Sequence, residues 1–173
     1  MSTDKGKGRR FKITGQVGEY LVAAELCRRG YIATTFSGNV PEFDILATDE
    51  KLKTTPIQVK TIQKGGSFQS SVDKWMNISI SKKGEQIIRG HLALPNPSLI
   101  YIMVVLGDEY GKDEFFLLTK KQLQKIYTES HSNWLAKHNG IRPKKPDSFH
   151  TAIMPEDLKD YYNNWKIFKK TNR

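Results

Sequence analysis

Val17, Leu21 and Ala24 recur at helical spacing, and Tyr20 with Ala23 widens that stripe. Thr14 suits an N-cap, and Gly30 after Arg28 and Arg29 suits a stop, so the pattern predicts a first helix over residues 14–30. Tyr31 to Phe36 is rich in β-branched and aromatic residues and predicts a strand. A turn follows at Ser37-Gly38-Asn39, then a second strand from Phe43 to Thr48 and a third over Ile57–Ile62, opened by Pro56. The polar link between these two is short, which predicts an antiparallel pair. Lys64 to Ser71 is rich in Gly, Ser and Gln and predicts a loop.

Further on, the pattern predicts a strand at Met76–Ile80 and a short helix from Lys82 to Arg89 ending at Gly90. Leu99 to Leu106 is a continuous apolar run, as expected of a central strand buried on both faces. Glu114–Leu118 pairs back as a hairpin, and Thr119 caps a helix carrying Leu123, Ile126 and Tyr127. Pro155 opens a last helix, from Glu156 to about Phe168. This order predicts an α/β fold: a single domain with a mixed central β-sheet flanked by helices. Residues 1–12 are expected to be a disordered basic tail, 13–173 the domain, and 120–173 a helical C-terminal extension.

Composition narrows the class. The chain has 173 residues, 38% of them apolar, enough for one core. No apolar run reaches the ~18 residues that span a membrane. There is no apolar leader after Met1, and a single cysteine, Cys27, suits a reducing compartment, so the expected location is cytoplasmic. Cys27 itself is expected to be a buried or half-buried helix residue. The four histidines show no zinc-ligand spacing.

The net charge is +10, and it is uneven. Residues 1–12 carry Lys5, Lys7, Arg9, Arg10 and Lys12 against Asp4; residues 137–173 carry nine basic side chains against four acidic. The stretch between is nearly neutral. Basic ends attract polyanions, of which nucleic acid is the obvious one; a solubilising tail is the plainer alternative.

Three short stretches carry candidate chemistry. Gly15-Gln16-Val17-Gly18-Glu19 lies on the first helix, Pro41-Glu42-Phe43-Asp44 opens the second strand, and Gln58-Val59-Lys60 lies in the third. Residues two apart in a strand share a face. Gln58 and Lys60 therefore share one, as do Glu42 and Asp44. Each residue alone has an ordinary reading, as a solvent-facing acid, a turn cap or an edge-strand lysine. Together, charged groups in mid-strand and on a helix are costly to bury without pairing or function.

The three stretches, in this order, resemble the PD-(D/E)XK nuclease superfamily, whose core is a helix with Glu, a strand with Asp and a neighbouring strand with Glu-x-Lys. The Gly-x-x-Gly-Glu opening and the Gly30-Tyr31 strand start resemble its Holliday-junction-resolvase-like and restriction-endonuclease-like branches. The resemblance covers residues 14–63. It implies a restriction-endonuclease-like core with a helix-strand-strand-strand start, and a Mg²⁺- or Mn²⁺-dependent endonuclease that hydrolyses DNA phosphodiester bonds in duplex or branched DNA. Asp44 is then the principal metal ligand, Glu19 and Gln58 further ligands, and Lys60 the group beside the attacking water. Gln58 departs from the family's usual Glu and withholds one negative charge; Glu42 is the local substitute. That departure keeps open a second expectation, an inactive nucleic-acid-binding or assembly protein on the same fold. Lys64, Lys74 and Trp75 flank the polar loop as candidates to grip a phosphate backbone and stack a base, beside the five basic residues of the tail. A homodimer is a further expectation, since duplex DNA offers two strands.

Overall fold

The computed structural model describes residues 4–36 and 42–169; the side chains of Lys5 and Lys7 lie outside that description. The turn expected at Ser37–Asn39 and the Pro41 of the second motif also lie outside it.

The fold is mixed α/β. Helix α1 spans Asp4–Arg28, β1 Ile32–Thr35, β2 Ile45–Thr48, β3 Thr54–Gln63, β4 Phe68–Ser71, β5 Met76–Ile80 and β6 Gln86–His91. Strands β7 Ile100–Leu106 and β8 Glu114–Thr119 follow, then α2 Lys120–Ala136 and β9 His150–Ile153. The central sheet has the order β1-β2-β3-β7-β8. β1 and β2 pair antiparallel, as do β2 and β3, whereas β3 and β7 run parallel. A parallel pair needs a long connection, and here residues 64–99 supply it.

The chain forms two compact units. The first comprises the described residues of Met1–Gly66, Leu99–Leu118 and Leu158–Arg173, and the second comprises Ser67–Ser98 and Thr119–Asp157. In the first unit, Val22 and Leu26 of α1 lie with Ile45, Ala47, Ile57, Val59, Ile102 and Val104 in one core. By alternation these strand residues share one sheet face, which α1 covers. Trp165, Ile167 and Phe168 of a C-terminal 3-10 turn pack on the same core. Gly30 ends α1 at a φ of 87°, and Tyr31 N donates to Leu26 O at 3.1 Å.

The second unit has two two-stranded ribbons, β4-β9 and β5-β6, and helix α2. Thr119 and Gln122 form a capping box at the start of α2. Leu123 and Tyr127 are buried on it, as expected, and Trp75 stacks on Tyr127 with ring centroids 5.1 Å apart. His131 is buried and meets Gln86; burial, and then the charge of Arg142, push its pKa down, which keeps the ring neutral.

Several expectations are corrected. α1 begins at Asp4, so the basic residues from Lys5 to Lys12 are helical and not a disordered tail; Lys and Arg are good helix formers, and two glycines do not outweigh them. Thr14 is inside the helix, buried, and accepts from Gln63 Nε2 at 3.2 Å. The buried stripe runs through Thr14, Gly18, Val22 and Leu26, while Val17 and Tyr20 are exposed. Small and polar members of that stripe hide it from an apolar count. Cys27 is exposed. Phe68–Ser71 is a strand, not loop, because it pairs with β9. Lys82–Arg89 is not a helix: Gln86–His91 is a strand paired with β5. The last helix is instead two 3-10 segments, Pro155–Tyr161 and Trp165–Lys169, separated at Asn163, whose φ is 48°. Residues 120–173 are therefore no helical appendage, since they supply α2 and β9 to the second unit and core residues to the first.

Gly18 is the point of closest approach between α1 and β3. A Cβ there would lie 1.8 Å from Thr61 Oγ1 and 2.8 Å from both Thr61 Cβ and Cγ2. Gly→Ala in a helix ordinarily stabilises by about 0.5–1 kcal/mol, but overpacking costs about 1–3 kcal/mol. Gly18→Ala is expected to lower the unfolding free energy by roughly 1–2 kcal/mol in urea denaturation. Thr61→Ala in the same chain is expected to recover part of the loss, because it removes Oγ1 and Cγ2 but keeps the Cβ at 2.8 Å; Thr61 Oγ1 is buried with no hydrogen-bond partner, so its removal leaves nothing unpaired.

Candidate active site

The β2–β3 ladder ends at the Ile45–Ile57 pair. One residue earlier, Asp44 N donates to Ile57 O at 2.8 Å, and there the backbone of β2 leaves β3. The next amide of β3 on that side belongs to Val59. It donates to Asp44 Oδ2 at 2.7 Å, so the carboxylate takes the place a strand carbonyl would fill. Gln58 Nε2 donates to the same oxygen. Two donors on one oxygen fix the direction of the half-buried carboxylate.

Gln58 is buried and Lys60 exposed, both on the sheet face opposite the one α1 covers. Beside them on β7, in register, stand Tyr101 next to Gln58 and Met103 next to Lys60. Glu19 comes from α1, immediately after the Gly18 contact, and is half-buried. Burial raises its pKa above the ordinary 4.5, the negative charge of Asp44 raises it further, and Lys60 opposes both. Alternation alone would put Glu19 and Lys60 on opposite faces. They remain electrostatic neighbours where β2 has ended and the flank of β3 lacks a strand partner.

Tyr101 is the residue the sequence reading passed over. Burial raises its pKa above the ordinary 10.0, and the charges of Asp44 and Glu42 add to this, so the phenol keeps its proton. The available signal was a single amphipathic residue in the otherwise aliphatic run Ile100–Leu106. Glu42 is exposed, with a φ of 75°, a left-handed conformation uncommon outside glycine.

The expected backbone-gripping residues are scattered. Arg9, Arg10 and Lys12 are exposed along the first turns of α1, near Phe11, itself 75% exposed. Lys64 pairs with Asp108, both exposed. Lys74 is exposed at the end of a 3-10 turn. Trp75 is buried against Tyr127, and its Nε1 donates to Ser70 Oγ at 2.8 Å. That corrects the expectation that it stacks a base.

Asp44 and Glu19 offer carboxylate oxygens of the kind that hold a hard divalent cation. Mg²⁺ commonly takes one or two carboxylates and completes its shell with water and substrate phosphate. Among the described residues no group of three or more His, Cys, Asp or Glu side chains is placed to hold a metal. Two carboxylates with a neighbouring amide make the set at this position among the described residues, and its donor chemistry fits Mg²⁺ or Mn²⁺.

The chain is similar to a bacterial homing endonuclease, I-Ssp6803I. The identity is 12% and the TM-score 0.41, over 66% of this chain and 72% of that one. No family model matches the chain, and no curated protein matches it.

With Glu19 raised, the native state binds more protons than the unfolded chain between pH 4.5 and the raised value, so without a cation this group's contribution to stability falls as pH rises through that window. A divalent cation favours the ionised form and reverses the sign. Millimolar Mg²⁺ or Mn²⁺ is expected to raise the unfolding midpoint at pH 7 in a thermal melt, less so as pH falls toward 5. Asp44→Asn is expected to remove most of the rise.

Proposed function

We propose that this chain is a metal-dependent endonuclease that hydrolyses phosphodiester bonds in DNA, built on a PD-(D/E)XK-type core. The observation that carries the reading is Asp44. Its carboxylate is fixed at the end of β2 by Val59 N and Gln58, with Glu19 and Lys60 as charged neighbours. Chemistry bears as much weight here as position. Two acids pushed together with a lysine at an exposed strand edge are a standing electrostatic cost that a bound cation and a phosphate diester would relieve.

Asp44 and Glu19 would hold Mg²⁺ or Mn²⁺. When bound, the cation supplies positive charge at a phosphate oxygen and acidifies water. Asp44, already oriented by two donors, needs little reorganisation. Gln58 acts through Asp44 as a positioning residue, since its NH₂ is directed at that carboxylate. Lys60 would place an ammonium against a non-bridging phosphate oxygen, where charge grows as the diester is attacked. Tyr101, held protonated, is a hydrogen-bond donor on the same sheet face. The exposed Arg9, Arg10 and Lys12 would attract the backbone.

One observation favours a second reading, a DNA-binding protein that has lost catalysis. Gln58 supplies its own donor to Asp44, and so satisfies that oxygen without any metal.

Incubation of plasmid DNA with purified protein and Mg²⁺ or Mn²⁺ separates the readings. The nuclease reading predicts strand cleavage that chelation stops. Asp44→Asn and Lys60→Ala are each expected to cost about 10²–10³ in rate, the scale of a single electrostatic contributor. Gln58→Glu is expected to tighten metal binding and keep or raise cleavage. No cleavage by the native chain with Mn²⁺ in excess, together with DNA affinity unchanged in Asp44→Asn, contradicts the nuclease reading and supports the second.

A further inference from the structure

The second unit carries a ribbon whose two faces differ. In β5–β6 the pairs are Ile80 with Gln86, Ser79 with Ile87, and Ile78 with Ile88, with an irregularity between Met76 and Ile78. Gln86 fixes which face is inward. Its Oε1 meets His131 Nε2 of α2 at 2.8 Å, its Nε2 donates to Ser148 O at 3.0 Å, and its backbone N donates to Gly140 O at 2.8 Å. At the ribbon's base, Gln124 Nε2 of α2 donates to Trp75 O at 2.6 Å and to Leu92 O at 2.9 Å. Polar contacts, some buried and some half-buried, thus tie the ribbon at Gln86 and at its base.

Alternation puts Ser79 and Ile87 on the other face; Asn77 and Arg89 follow at the register shift, where alternation is interrupted and their exposure, not parity, makes them available. Asn77 and Arg89 are exposed, and so are both isoleucines of β6, Ile87 at 41% and Ile88 at 38%, so the ribbon beyond Gln86 stands clear on both faces. The turn between the strands is built on Ser81. Its backbone N donates to Glu85 O at 2.9 Å, and its Oγ accepts from Lys83 N at 3.2 Å and Glu85 N at 3.1 Å. That turn presents Lys82 and Lys83 to solvent. The ribbon therefore carries three basic side chains against one acid, Glu85.

We propose that this outward face is a sequence-reading element that enters the major groove of duplex DNA; the proposal rests on the DNA reading above. A two-stranded ribbon fits a groove about 12 Å wide. The side chains match what base edges offer. Arg pairs with guanine O6 and N7, Asn with adenine N6 and N7, and an apolar group meets the thymine methyl. Lys82 and Lys83 sit at the tip, where they meet phosphates and set register without reading sequence. The ties at Gln86 and at the base mean that little ordering entropy is lost on docking.

The test is affinity selection from a randomised duplex pool, with the full chain carrying Asp44→Asn and no divalent cation, so that cutting plays no part. The expected result is enrichment of a short motif. Arg89→Ala is expected to relax preference at one G·C position about ten- to hundredfold, and Asn77→Ala at an A·T position nearby. Arg89→Lys keeps the charge and loses the fork, and is expected to relax the same position with the salt dependence unchanged. Replacing Lys82 and Lys83 by Ala is expected to weaken all sequences alike and to lower the salt slope by about 2. Retention of duplex without any enriched motif, the native motif persisting in Arg89→Ala, or preferential retention of an RNA pool each overturns the proposal. Cleavage by the native chain is scored separately. Cutting without sequence preference sinks the ribbon and spares the nuclease, whereas an enriched motif without cutting does the reverse.

Discussion

The carboxylate of Asp44 closes a gap that the sheet leaves open. β2 pairs with β3 only as far as Ile57, and the next outward amide, that of Val59, is turned to the place β2 has vacated. An unpaired amide in a half-buried strand is costly, and a carboxylate is the strongest neutral-pH acceptor a side chain can supply. That bond and the one from Gln58 orient Asp44 where the ladder ends and leave the edge of β3 clear for Lys60. It places structural and chemical roles on one residue. Asp44→Asn keeps an acceptor for the amide but removes the charge, so it separates the two roles.

A second constraint comes from α1. Gly18 brings the helix backbone onto Thr61, one residue past Lys60, and so sets the depth at which Glu19 enters. A larger residue at 18 would lift the helix and withdraw Glu19 from Asp44 and Lys60. Burial at that depth raises the pKa of Glu19, the charge of Asp44 adds to it, and Lys60 opposes both. The packing and the electrostatics of the candidate site therefore have the same origin.

Much of the first unit was legible because its elements declare themselves locally. The apolar run at Leu99–Leu106 became the buried strand β7, and the antiparallel β2–β3 pair followed from a short link. Glu19, Asp44, Gln58 and Lys60 were named from the order of three short motifs and the family resemblance that order carries, with strand parity linking only Gln58 to Lys60. What failed was decided by tertiary partners. Gln86–His91 reads as a helix end in isolation and is a strand because β5, His131 and Gly140 tie it. The buried stripe of α1 runs through Thr14 and Gly18, which no apolar count detects. Tyr101 escaped notice because its meaning lies in its register with Gln58 across a parallel pair, 43 residues further along the chain.

The central claim is that Glu19 and Asp44 form one cation site at the open edge of β3. Paramagnetic broadening by Mn²⁺ tests it most directly, read from backbone amide signals of isotope-labelled protein at substoichiometric metal. The account predicts that signals of Glu19, Asp44, Gln58, Val59 and Lys60 broaden first and together, that Mg²⁺ in excess restores them, and that Asp44→Asn abolishes the effect. Broadening centred on other residues, or none at these five while the protein remains folded, would contradict it.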